Sequence, residues 1–147
     1  MNSSKKKRLY FSSGQSLIEA VIAVGVVTMV LVALVSGVVS SLKNARYSRD
    51  NSVAVAYAQE GIEVIRSIRD RGYEEIQQND TYSLSYNGSI WSLTTPGEVI
   101  SEKYTRTVVI SDGPDAANSK KVIVTLSWKE GSSDREVTLT TILVRLE

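Results

Sequence analysis

Residues 14–42 read GQSLIEAVIAVGVVTMVLVALVSGVVSSL, and the reading of this stretch decides the fold. From Leu17 to Leu42 its only ionisable side chain is Glu19, and Ala20 to Leu42 gives 23 uncharged residues, rich in Val. A helix rises about 1.5 Å per residue, so about 20 apolar residues cross the hydrocarbon core of a bilayer. The run is long enough to span alone. It exceeds the roughly 7–15 residues of a secretory apolar region, and no small-residue cleavage motif follows it. Any cut is therefore expected before the run.

Upstream, residues 1–14 read MNSSKKKRLYFSSG, with Lys5, Lys6, Lys7 and Arg8 and no acid. A basic head before an apolar span is a membrane-targeting arrangement, and the positive-inside bias keeps that head cytoplasmic. The whole chain has 147 residues with 17 basic and 16 acidic side chains, net +1; without the four leader cations it has 13 and 16, net −3. That length fits one domain, and the balance excludes a strongly basic nucleic-acid binder; no direct nucleic-acid contact is expected. The chain has no Cys and no His. It therefore has no disulfide framework, no thiolate metal site and no Ser-His or Cys-His pair, which argues against most hydrolases. No enzymatic activity and no cofactor are expected.

Glu19 is the anomaly in the span. A carboxylate costs about 2.5–3.5 kcal/mol at the centre of a membrane helix and less near the interface. Glu19 is the third residue of the run, so it either sits at headgroup depth or meets a positive partner inside an apolar assembly. Gly14-Gln15-Ser16-Leu17-Ile18-Glu19, between a basic leader and an unbroken apolar helix, resembles the class III signal of type IV prepilins and pseudopilins. The resemblance implies cleavage after Gly14 by a membrane-embedded prepilin peptidase and N-methylation of the new terminus, Gln15. It also implies that Glu19 pairs with the N-terminal amine of a neighbouring subunit during assembly, with Ser16, Leu17 and Ile18 completing the processing motif. Gln15 stands where the family usually has Phe, and Ser16 replaces Thr. Many major pilins carry Pro at the position held here by Ser36, followed by Gly37, so their mid-helix kink is not implied here.

Helical periodicity continues past Leu42. Ser41 to Asp50 is polar, and Tyr57, Ala58, Gly61, Ile62, Ile65 and Ile68 then recur at helical spacing, with Glu60, Glu63, Arg66, Ser67 and Asp70 largely between them. Arg66 and Asp70, four apart, are an expected ion pair; Glu60, Glu63 and Arg66 otherwise read as a solvated face. Arg69 and Arg71 fill the last turn and Gly72 is a natural stop. One helix from Gln15 to Arg71 would be roughly 85 Å long. The stretch from Ala58 to Asp70 is similar to the helix end of the PilV-like minor pilins, the type IV pilus modification proteins.

Beyond Gly72 the period falls to two. Residues 81–86 alternate, Asn87-Gly88 is a type I′ hairpin signal, and residues 89–94 follow. Pro96-Gly97 reads as a turn, residues 102–110 as a strand with Tyr104 and Val108 on one face, and residues 111–119 as a loop. Residues 121–128 alternate with Val122, Val124, Leu126 and Trp128 on one face; residues 130–133 turn, and residues 135–145 close the chain. About five strands, mostly antiparallel, are expected, the last two forming a hairpin. The fold class is α+β: a long N-terminal helix, membrane-spanning then amphipathic, packed on a C-terminal antiparallel sheet headpiece. The organisation is a cleaved leader over residues 1–14, a span or filament-core segment over 15–42, an amphipathic helix over 43–72 and a headpiece over 73–147.

The headpiece offers little chemistry. Asp112 and Asp115, with Asn118, are the weak candidates for Ca²⁺ ligands, since hard cations take carboxylate and amide oxygens. Two carboxylates make no acidic cage, and an Asx-rich turn is the plainer reading. Tyr82, Tyr86 and Trp91 read as half-buried sheet aromatics. With no Cys, the disulfide that ties down many pilin C-termini is absent.

The resemblance thus implies a minor pilin of a type IV pilus, partnered by prepilin peptidase, major and minor pilin subunits and an inner-membrane assembly platform. It would reside in the cytoplasmic membrane before assembly and in a pilus or pseudopilus after it. A pseudopilin of a type II secretion or competence system shares the N-terminal motif. An uncleaved single-span protein with a ligand-binding or enzymatic external domain would keep its leader.

Overall fold

The computed structural model describes residues 13–94 and 98–146. The leader up to residue 12 and the turn expected at Pro96-Gly97 lie outside the described residues. The helix α1 spans Ser13–Arg71 and is followed by a 3-10 turn at Tyr73–Ile76. Six strands follow: β1 (Asp80–Tyr86), β2 (Trp91–Thr94), β3 (Glu98–Ile100), β4 (Tyr104–Asp112), β5 (Ser119–Glu130) and β6 (Ser133–Val144). The architecture is α+β, as the change of periodicity at Gly72 predicts. The chain divides into two compact units, one ending at Ala45 and one running from Arg46 to Glu147.

The sheet order is β2-β1-β4-β5-β6, with β3 also on β4, and every pairing is antiparallel. The β5–β6 hairpin is the expected one. Trp128 lies opposite Arg135 and Val124 opposite Leu139, and Gly131 takes φ +63 in the turn, a left-handed value that glycine adopts at little cost. The sixth strand, β3, is a departure from the five expected. It arises because Ser101 and Glu102 both take positive φ, 54 and 58, folding the chain back so that Ile100 opposes Tyr104. Glu102 is thus in a turn, and β4 begins at Tyr104. Two non-glycine residues in that region are costly. The turn is held from the helix side: Lys103 Nζ lies 2.6 Å from Asp50 Oδ2, and the Ser101 and Tyr57 hydroxyls are 3.3 Å apart.

The β1–β2 connection also differs from the sequence reading. Tyr86 opposes Trp91, the Asn87 N–H donates to the Ile90 carbonyl at 3.3 Å, and the central pair is Gly88-Ser89. Gly88 alone in this turn has positive φ, +91, so it is not the type I′ turn that Asn87-Gly88 suggested. The Asn87 side chain moves the turn by one residue: its Oδ1 accepts from the N–H groups of Ser89 and Ile90 at 3.1 and 3.0 Å, in place of a backbone acceptor.

Within the second unit, the helix stripe and the inner sheet face make one core. Ala54, Ala58, Ile65 and Ile68 are fully buried, against Val108, Val122, Val124 and Leu126. Each large aliphatic side chain so buried contributes about 1.5–3 kcal/mol. Small residues on the helix let it lie close to the sheet. A Cβ at Gly61 would come within 3.0 Å of Val124 Cγ1 and 3.2 Å of Arg106 Cδ. The expected Arg66–Asp70 pair is not formed. Arg66 reaches Glu63, three residues back, at 2.6 Å, and Asp70 is taken by Arg69 at 2.6 Å.

Candidate functional site

The chemistry-bearing residues singled out by sequence fall on both units. In the first, every residue from Ser16 to Ala45 is exposed, including Leu17 at 69% and Met29 at 78%. The most apolar window of α1 has mean hydropathy 2.7 and none of it is buried. Among the described residues α1 is the one helix long and apolar enough to cross a membrane, and it is compatible with a single membrane anchor. A surface so apolar and so large meets no covering partner among the described residues.

Two hydroxyls in this stretch bond back onto the helix. The Thr28 hydroxyl donates to the Val24 carbonyl at 2.8 Å, and the Ser36 hydroxyl donates to the Val32 carbonyl at 2.9 Å. Such back-bonding satisfies a hydroxyl without water. Gly14 and Gln15 fall within α1, though the placement of their side chains lies outside the described residues. Ser16, Leu17, Ile18 and Glu19 occupy its first turns and are exposed, so Glu19 is a carboxylate on the surface of an otherwise uncharged helical run.

In the second unit the residues considered for a cation do not converge. Asp112, at the end of β4, lies 2.7 Å from the Nζ of buried Lys120, which also donates to Asn79 Oδ1 at 2.9 Å. The hydrogen bond from Lys120, reinforced by Asn79, holds the Asp112 carboxyl below its usual value. Asp115 turns inward on its own loop. Its carboxylate accepts from Asn118 Nδ2 at 3.0 Å and from the Ala117 N–H at 3.1 Å, which lowers its pKa. Its backbone exchanges hydrogen bonds with the Ser119 hydroxyl. Gly113 is required here, since a Cβ would run into Ser119. The segment is an Asx turn, and among the described residues no three acidic side chains are grouped to hold a metal.

The aromatics belong to the sheet. Tyr86 and Trp91 face each other across β1 and β2 with ring centroids 5.1 Å apart, and the Tyr82 hydroxyl donates to the Gln78 carbonyl at 3.1 Å. Two cations were missed by sequence reading. Arg106 is 1% exposed on the inner face of β4, donates to the Tyr57 carbonyl at 3.2 Å and lies 6.0 Å from the Trp91 ring. Lys120, one residue before the alternation that the sequence shows from residue 121, is the second residue of β5. The signal for Arg106 was present: it shares the alternation of Tyr104 and Val108.

Compared with protein-family models, with curated proteins and with solved structures, the chain gives no match.

Proposed function

We propose that the chain is a prepilin and, once processed, a minor pilin: a non-catalytic structural subunit of a type IV pilus. One observation carries the reading. A helix compatible with a membrane span, exposed along its whole apolar length and bearing Glu19 near its start, precedes an α+β headpiece. In this reading prepilin peptidase cuts after Gly14, Gln15 is N-methylated, and the apolar helices of many subunits bundle as the fibre core. A carboxylate inside such a bundle is costly unless paired, and the amine of a neighbouring Gln15 offsets much of that cost. The subunit waits in the cytoplasmic membrane with its headpiece outside, then passes through an inner-membrane assembly platform into the pilus beside major and minor pilins.

Mass spectrometry of the protein from cells with active prepilin peptidase tests this. N-methylated Gln15 at the amino terminus is the expected finding. An intact Met1 terminus would exclude processing and leave the uncleaved single-span reading. Copurification with secretion or competence components, rather than with pilus fibres, would assign the subunit to a pseudopilus.

A further inference from the structure

The apolar run is followed by cations that no side chain among the described residues pairs. Leu42 ends the apolar run; Lys43, Arg46 and Arg49 come next, with no acid between Glu19 and Asp50. All three are exposed, and among the described residues none of their side chains makes an ion pair or hydrogen bond. The nearest carboxylate in sequence, Asp50, is engaged elsewhere: Lys103 Nζ lies 2.6 Å away and the Tyr104 hydroxyl 3.5 Å away. Arg46 and Arg49 are three apart and so share a face of the helix. By helical rise they follow Leu42 by about 6 and 10 Å, within reach of a headgroup layer about 5–8 Å thick for a side chain as long as Arg.

We propose that Lys43, Arg46 and Arg49 hold phosphate oxygens of outer-leaflet lipid headgroups and so keep the subunit seated in the bilayer after its leader is removed. This rests on the membrane-held subunit proposed above. Before cleavage the cytoplasmic flank carries four cations and the external flank three; afterwards the external flank is the more basic of the two. The bias that set the orientation is then gone. Guanidinium groups match phosphate geometry with two parallel N–H donors, and they stay charged at any physiological pH. The occupant is a lipid surface because these cations follow directly on the apolar run, where an inserted helix meets headgroups.

The test uses the full chain with Lys5, Lys6, Lys7 and Arg8 changed to Gln, so that leader cations do not contribute. It is reconstituted in vesicles of phosphatidylglycerol and phosphatidylcholine in equal amounts, and retained lipid is counted by native mass spectrometry. The parent should retain phosphatidylglycerol preferentially. Lys43→Gln/Arg46→Gln/Arg49→Gln should weaken that retention by about 100-fold, from about five-fold per cation. Lys121→Gln/Lys129→Gln on the headpiece should leave it unchanged. Equal retention by the parent and the triple variant overturns the proposal while the membrane-span reading stands. A parent chain that fails to enter the vesicles at all overturns the membrane-span reading, and this proposal with it.

Discussion

Gly61→Val tests how closely the helix lies on the sheet. A Cβ at this position would stand 3.0 Å from Val124 Cγ1 and 3.2 Å from Arg106 Cδ, against about 3.5–4.0 Å for comfortable carbon contacts. Alanine alone would be near balance: helix propensity improves by about 1 kcal/mol over Gly, and the neighbours must yield by a few tenths of an ångström. Valine regains less propensity, about 0.4 kcal/mol, and adds two methyl groups to a filled space. Overpacking of this kind costs about 1–3 kcal/mol, so after the propensity gain the variant should lose about 0.6–2.6 kcal/mol. For a unit of this size that is a fall in Tm of about 3–13 °C, read by circular dichroism of the full chain in detergent. Gly25→Val is the matched control, since a Cβ there meets nothing within 4 Å. Val124→Ala should partly rescue Gly61→Val, with a coupling of about 1 kcal/mol or more. A Gly61→Val melt equal to that of the parent would refute the close approach; additivity with Val124→Ala would show that Val124 is not the neighbour that resists.

Three further outcomes are expected. Arg106→Ala should cost about 2–4 kcal/mol in urea unfolding, because it empties a buried volume beside Trp91 and removes a donor from the Tyr57 carbonyl. Lys120→Met should flatten the acid limb of a Tm-against-pH curve. Lys120 holds the folded-state pKa of Asp112 below its ordinary 3.8, so this contribution is present above that value and is lost as pH falls through the folded pKa. A variant curve that runs parallel to the parent's through the whole acid limb would show that the pair carries no such linkage. Glu19→Val should leave the proposed cleavage after Gly14 intact and impair entry into fibres, scored by immunoblot of sheared filaments; normal assembly would remove the charge-pairing role.

The periodicities were the legible part of the fold. Helical spacing from Ala58 to Ile68 and alternation from Val122 to Trp128 identify inner-face residues, because burial repeats at 3.6 and 2.0 residues whatever the partner. What sequence could not show were choices settled by long-range contact. Ser101 and Glu102 carry no glycine signal, and their positive φ is supported from the helix by Asp50 and Tyr57, residues far away in the chain. Alternation with Tyr104 and Val108 puts Arg106 on the inner face, but the helix carbonyl and the Trp91 ring that accommodate its charge there come from distant parts of the chain. The turn at Asn87 shifted because a side-chain acceptor replaced a main-chain one.

The two units place opposite demands on their apolar residues. In the headpiece, Ala54, Ala58, Ile65 and Ile68 are covered by the sheet, and their burial offsets the entropy of ordering the chain. In the run from Leu17 to Leu42 the large apolar side chains are about half exposed or more, and in the proposed reading their burial would come from lipid or from other chains. Lipid or a bundle would serve these apolar side chains equally; Glu19 is the residue for which the two surroundings differ. A carboxylate near the start of such a helix can reach a headgroup layer while the chain is single, but it loses that access once helices pack around it. The same residue is thus cheap to keep in a bilayer and expensive in a bundle, unless the bundle supplies a positive charge at its depth. The proposed leader removal would create one, the amine of Gln15, four residues from Glu19 in sequence and therefore at a similar depth in a neighbouring helix. The proposed cut at Gly14 and the proposed pairing of Glu19 are accordingly one hypothesis: without the first, the second has no cation to use.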